Sequence, residues 1–481
     1  MGQIKGVVRK KSDNSLVEGA IVTFTGYDKA LEELFLVGRA VTNAQGEFEF
    51  NEVNTGEDYE YEGTAKWDDN GTLYTAESIP FVTVEGLSGF VTEWQTTTAN
   101  ESIELPLADS GTYDFTVHWG DGSQDTITAW DDAAKSHEYA EAGTYEVQIV
   151  GQIWGWNFDS SASAPKIYDV KHWGEDFRLG EFAGSTSRHF RGCTNLNITA
   201  DDVMPTTGVT GMMASFMDTD LTTFNRVNDI DMSNITVIGG NLSGLFQGSN
   251  FNHDVNNWDV SSVTQFGGCF RDTPFNSSVE GWTFNVAGAT CRNMFHSSSF
   301  NNPSANGWDV SNITDMSFMF HNTPFNQNIG SWVVSSVENM ESMFFQSPFN
   351  QNIGSWVVSS VENMESMFRS CPFNQDIGSW NVSSVTTMRR MFWAGEFNQD
   401  ISGWDVSSVG NFENFLDLAT GNALSTANYD ALLIAWEQLT LQTGITADFG
   451  NAEYSSGAAA TARQSIIDTY TWTINDGGQT A

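Results

Sequence analysis

The chain has 481 residues, with 61 Asp and Glu against 20 Lys and Arg, for a formal charge of −41. That length suggests about three domains. The acidity excludes a nucleic-acid partner, which needs a basic footprint, and charge-driven docking on an anionic membrane. Solubility, including in salty water, is the plain reading of the charge, and a calcium-attracting surface is the sharper one. No stretch approaches the 18 or so apolar residues that a membrane helix requires, so no membrane insertion is expected. MGQIKGVVRKK starts as a strand and carries no apolar leader core. Either a leader precedes the numbering or the protein leaves its cell by lysis, and Met1 favours lysis.

Residues 1–107 alternate in the manner of antiparallel strands (IKGVV, AIVTFTGY, GRAVTN, GEFEF, FVTVEG, SIELPL), separated by turns such as Asn43-Ala44-Gln45-Gly46. The pattern predicts a β-sandwich. Residues 108–164 hold TYDFTVHWGDGSQDTITAW and SHEYAEAGTYEVQIVG, two strand-rich halves too short for a full sandwich and expected to cap a repeat array C-terminal to them.

That array occupies residues 165–420. FNQNIGSWVVSSVENMESMF occurs at 325–344 and again at 349–368. Tryptophans recur at Trp258, Trp282, Trp308, Trp332, Trp356, Trp380 and Trp404, at spacings of 24, 26, 24, 24, 24 and 24. Each follows a Phe-Asn pair, and each unit closes on another phenylalanine such as Phe344 or Phe368. Ser335 and Glu338 stand as in a helix capping box, and Val337, Met340, Met343 and Phe344 follow helical spacing. Trp332 and Val334 alternate with Ser331 and Val333 as a short strand would. One strand and one short helix per 24 residues predicts a leucine-rich-repeat-type solenoid, whose units run to roughly 20–29 residues. After Asp417 the period ends. A helix through YDALLIAWEQL, another through GAAATARQSIIDTY and the strand TWTIND predict a small α/β C-terminal cap over 421–481. The expected fold is multidomain: N-terminal antiparallel β-sandwiches, then an α/β solenoid, then the cap.

Three resemblances accompany these readings. WxVSSVxxMxxMF followed by PFNQxIGSW resembles the BspA-like leucine-rich-repeat surface proteins of bacteria and their phages. SLVEGAIVTF with AVTNAQGEFEFNEV is similar to carboxypeptidase-regulatory-like sandwiches, which serve as stalks or docking platforms. WGDGS with HEYAEAGTYEV resembles a PKD-like segment. The first resemblance implies adhesion and surface recognition without catalysis.

No HExxH, GxSxG or P-loop is present, and the seven histidines are scattered. Only His296 and His321 share a repeat register. A glycosidase carboxylate pair is not excluded by counting acids. The four cysteines, Cys193, Cys269, Cys291 and Cys371, form no CxxC and read as small buried residues. Asp121 in WGDGS and Asp68-Asp69-Asn70-Gly71 are oxygen-rich turns. Neither alone offers the 6–8 oxygens of calcium, so no cofactor is expected, with Ca²⁺ the one alternative.

Two columns stand out. Asn252, Asn276, Asn301, Asn326, Asn350, Asn374 and Asn398 repeat after the first phenylalanine and read as a structural amide ladder. The residue after each tryptophan, when tryptophan faces inward, faces out: Asp259, Thr283, Asp309, Val333, Val357, Asn381 and Asp405. This line is the candidate binding surface, with Val333 and Val357 as an apolar patch or as β-branched filler. The expected protein is non-enzymatic. It is a virion-surface component, decoration or fibre-associated, docked to other virion proteins by the N-terminal sandwich and presenting the array to a protein or glycan on a host surface. A bacterial cell-surface adhesin is the alternative, and a polysaccharide-degrading enzyme a remote one.

Overall fold

The structure, a computed structural model, describes residues 89–480 except 181–186, 210, 234–239 and 417–423, together with the backbone of six strands between residues 2 and 82. Those six are β1 (Gly2–Val7), β2 (Ile21–Asp28), β3 (Glu33–Val41), β4 (Glu47–Val53), β5 (Tyr59–Asp69) and β6 (Thr72–Val82). They form an antiparallel pair, β1-β4, and a four-stranded antiparallel sheet in the order β3-β2-β5-β6.

Next come β7 (Phe90–Thr96), β8 (Glu101–Glu104), β9 (Leu107–His118), β10 (Gln124–Ile127), β11 (Ser136–Tyr139), β12 (Gly143–Trp156), β13 (Ile167–His172), β14 (Phe177–Arg178) and β15 (Asn197–Ile198). All but β8 and β11, which pair with each other, join one seven-stranded sheet in the order β10-β9-β12-β7-β13-β15, with β14 beside β12. Strand pairing therefore runs across residues 107 and 164, because β7 bonds both β12 and β13. The last pairing, β13 with β15, is parallel, and Ile198 bridges Phe224 in turn. The sheet edge is thus handed directly to the repeats.

Within the repeats the strands shrink to two or three residues: β16 (Gly240–Asn241), β17 (Val263–Gln265), β18 (Ala289–Thr290) and β19 (Ile313–Asp315), paired in parallel in that order. Single parallel bridges continue the line through Asp315, Asn339, Asn363, Thr387 and Asn411. The predicted α/β solenoid is not what forms. Among the described residues there are two α-helices, α1 (Thr426–Trp436) and α2 (Ala458–Tyr470), both beyond the array, and the rest is strand and turn. The segment from Val337 to Phe344, expected as a helix, holds a bridge residue at Asn339 and then turns from Glu341 on. The short strand lies at its start, at Asn339, and not at Trp332.

The backbone gives the reason. Each unit holds two left-handed residues four apart, Phe318 and Asn322 (φ 58° and 53°), then Ser342 and Gln346 (52° and 57°), then Ser366 and Ser370 (57° and 51°). A right-handed helix cannot pass through such residues, and for non-glycine residues each costs roughly 1–2 kcal/mol. The compensation comes from the neighbouring unit. The N–H groups of Met340, Ser342, Phe344 and Gln346 donate to the carbonyls of Asn363, Glu365, Met367 and Arg369 at 2.8–3.0 Å. Donors that a helix would direct to residue i−4 are directed here to the next copy. The Ser335–Glu338 capping pair has no helix to cap.

The apolar positions are nevertheless the core. Val337, Met340, Met343, Phe344, Phe349, Trp332 and their equivalents are all buried. Phe344 stacks on Phe349 at 3.9 Å and on Phe368 at 5.7 Å, and Trp332 on Trp356 at 6.4 Å. Each such burial is worth about 1.5–3 kcal/mol. The indole N–H groups, which would otherwise be stranded, donate to carbonyls one unit back, as Trp356 does to Ile329 at 3.1 Å.

Beyond the array, α1 and α2 alternate with short strands β20 (Thr446–Asp448), β21 (Glu453–Tyr454), β22 (Thr473–Asn475) and β23 (Gly478–Gln479). β20 pairs in parallel with β22, and β21 with β23. Ala447 continues the bridge line from Phe412.

Candidate binding surface

The seven residues that come after the tryptophans are all exposed, forming one line in which each tryptophan points in and its neighbour out. Four of them are tied down: the carboxylates of Asp259, Asp309 and Asp405 and the amide oxygen of Asn381 each accept the backbone N–H two residues on, at 3.0–3.2 Å. These are ordinary Asx turns. The bonds from Ser261 and Ser311 hold the carboxyls of Asp259 and Asp309 below the usual range. Val333 and Val357 occupy the same register without any polar group, at 53% and 58% exposure. They are adjacent rungs, since their tryptophans stack.

The asparagine column is one continuous hydrogen-bonded ladder. The side-chain oxygen of Asn252 accepts the backbone N–H of Asn276, and so on through Asn301, Asn326, Asn350, Asn374 and Asn398 at 2.8–3.0 Å. Glutamines one residue on, Gln327, Gln351, Gln375 and Gln399, add a second donor to the same oxygens. The top rung, Asn398, bonds the N–H of Ser425 at 2.8 Å, at the start of α1.

A third column reads in the sequence as a loop-like register, with His296 and His321 in two units and Gln, Arg, Phe or Trp in the others. It lies one residue after each closing phenylalanine: Gln247, Arg271, His296, His321, Phe345, Arg369 and Trp393. His321 Nδ1 lies 2.5 Å from His296 Nε2. The His321 ring sits 4.6 Å from Phe345, and the Arg369 guanidinium lies 4.5 Å from Phe345 and 4.6 Å from Trp393. Burial, then the neighbouring His296 and the Arg271 and Arg369 charges, push the His321 imidazole down to about 4. The signal in the sequence was the register shared by His296 and His321. Its chemical variety, with arginine, histidine and aromatic side chains in one register, gave no sign that these side chains touch across units.

For metals, Asp121 is already engaged. Burial pushes its carboxyl up, but bonds from Ser123 and His137 prevail and hold it at about 2. Asp68-Asp69-Asn70-Gly71 lies outside the residues whose side chains are described. His172, Asp201 and Asp202 are the one group of potential ligands that converge among the described residues. His172 Nδ1 is 3.3 Å from Asp202 and 3.5 Å from Asp201. Asp202 is held by the N–H groups of Trp173 and Gly174 at 2.9 Å, which serves the turn between sheet and array. The four cysteines are buried free thiols. Burial raises the Cys371 thiol to about 12. No described helix is long and apolar enough to cross a membrane.

One family matches the chain, described as a Mycoplasma protein of unknown function, DUF285, over residues 210–325, 289–392 and 321–429. The three overlapping placements fit one pattern to the array in successive registers, as a repeat requires. No curated protein and no solved structure matches the chain.

Proposed function

We propose that the chain is a non-enzymatic surface-recognition protein of the BspA-like kind, which presents its repeat array to a protein or glycan on another surface. The observation that carries this reading is the exposed column after the tryptophans, and above all Val333 beside Val357. Among the described residues they are the two exposed valines of the array, placed next to each other on units that the amide ladder joins. Exposed apolar neighbours framed by polar residues are what a protein or glycan contact uses. A cavity of about 430 Å³ in the C-terminal region is bounded by Asn414, Asp448, Arg463 and Asp476. Its carboxylates are engaged, Asp476 with Arg463 (2.7 Å) and Tyr429 (2.8 Å), Asp448 with Asn414 (2.7 Å) and Asn475 (2.6 Å).

The same geometry serves a virion fibre or decoration protein, docked to the particle through its N-terminal strands, and a bacterial adhesin. The match to a Mycoplasma family favours the bacterial cell surface as second reading. Mass spectrometry of purified particles, beside surface proteolysis of intact cells, separates the two settings. For recognition itself, labelled full-length chain is applied to intact cells, and Val333→Asp with Val357→Asp is compared with the unmodified protein. At least a tenfold loss of attachment with an unchanged fold is expected. Unchanged attachment by the folded double variant removes the valine patch.

A further inference from the structure

We propose that the turn strip carrying Phe345, Arg369 and Trp393, with Arg390 beside it, binds the carboxylate of an acidic saccharide. Between residues 251 and 416 the chain has five cationic side chains, Arg271, Arg292, Arg369, Arg389 and Arg390, and no lysine. All five lie within four residues of a closing phenylalanine, as do Asp272, Glu341, Glu365 and Glu396, while most other acidic residues of the array lie elsewhere along the unit. Arg389 is neutralised by Glu365 at 2.8 Å and Glu413 at 2.9 Å. Among the described residues Arg369 and Arg390 have no carboxylate partner, and Arg369 Nε is buried without a hydrogen bond. In a chain with three acids for each base, two unpaired arginines beside a third are an unusual arrangement. Burial and the nearby Arg390 and Arg389 charges lower the affinity of Arg369 for its own proton. An arriving anion relieves that repulsion.

The geometry narrows the anion. The Arg369 guanidinium lies 4.5 Å from the Phe345 ring of the unit before and 4.6 Å from the Trp393 ring of the unit after, which leaves its N–H edge as what it offers. That edge fits one carboxylate with two parallel bonds. Beside it run Gln346 and Ser370, which supply an amide and a hydroxyl at the same unit spacing. Successive closing rings lie 5.7 Å apart, close to the length of one pyranose unit in an extended glycan. An acidic peptide fits less well. The strip's backbone donors are already engaged between units, as Gln346 donates to Arg369 and Ser370 to Trp393, leaving no edge for strand addition. A nucleic acid would need many unpaired cations.

This assignment rests on the surface-recognition reading. The full-length chain is titrated calorimetrically at fixed ionic strength with an oligogalacturonate and a sialylated oligosaccharide. The methyl-esterified oligogalacturonate and an oligoglutamate of equal length serve as comparisons. Binding to at least one acidic saccharide is expected, at least tenfold weaker for the ester and for oligoglutamate. Arg369→Gln and Arg369→Lys both lose at least tenfold, the lysine because it lacks the planar fork, with thermal midpoints near that of the parent. Absence of binding to both acidic saccharides, full affinity in Arg369→Gln, or equal affinity for oligoglutamate overturns the proposal. Attachment to cells that is lost in the valine variants and kept in Arg369→Gln would remove the strip while leaving surface recognition in place.

Discussion

Replacing Asn350 with alanine tests the amide ladder at its centre. The Asn350 side-chain oxygen accepts two hydrogen bonds, from the backbone N–H of Asn374 at 3.0 Å and from Gln375 Nε2 at 2.9 Å. Alanine leaves the Asn374 donor without a partner, and an orphaned donor costs about 1–3 kcal/mol when water cannot replace it. The lost glutamine bond adds about 0.5–1.5 kcal/mol. Both groups are half-buried, so partial hydration brings the expected sum to about 2 kcal/mol, which is up to 30-fold in an opening equilibrium. Hydrogen exchange read by mass spectrometry over residues 370–380 reports it directly, as faster exchange confined to the units on either side. Asn350→Asp keeps the acceptor and is expected to retain most of the protection. Exchange in the alanine variant within twofold of the parent, or an aspartate variant as damaged as the alanine one, refutes the ladder as a source of stability.

Two further expectations concern the backbone and the buried imidazoles. Gln346 is exposed and left-handed (φ 57°), so Gln346→Gly should raise the urea midpoint by the equivalent of about 1 kcal/mol, while the β-branched Gln346→Val should lower it; equal midpoints would mean that the turn is unstrained. His321 sits near 4 in the fold against an unfolded value of about 6.5. The unfolded chain therefore binds more protons between those values, and stability, complete above pH 6.5, falls as pH drops toward 4. His189, fully buried and pushed down to about 3, works in the same direction. His321→Gln should flatten the fall without abolishing it, as measured by urea midpoints at pH 8 and pH 5, and a slope identical to the parent's would dismiss His321 as a contributor.

The sequence announced the period, the buried positions and the outward column, because stacking places the same side chain in the same environment at every turn. Trp332, Phe344 and Met340 are buried for the reason their recurrence suggests. What it did not announce was the backbone path. Val337, Met340, Met343 and Phe344 have helical spacing, yet Ser342 and Gln346 turn left-handed, and neither serine nor glutamine signals that as glycine would. The equivalent positions in an earlier unit are Gly268 and Asp272, the more legible form of the same turn. The deciding bonds are also invisible locally, since they join residues 23 apart, such as Ser342 to Glu365. The arginine–aromatic strip was legible as a register but not as a set of contacts: no single unit contains it, and only the stacking of units brings Phe345, Arg369 and Trp393 together.

The final rung of the ladder has a consequence for how such a chain can change. Asn398 offers the same oxygen that every earlier rung offers, and Ser425 and Asn428 take it as another unit would. The terminal segment therefore meets a generic docking site. Units can be added or removed whole, in quanta of 24 to 26 residues, with the ladder oxygen still paired at the C-terminal junction. The two identical twenty-residue copies are the kind of substrate on which unequal recombination acts. Reach then becomes a heritable variable separate from folding, and a lineage can lengthen or shorten the protein while its outward residues drift independently.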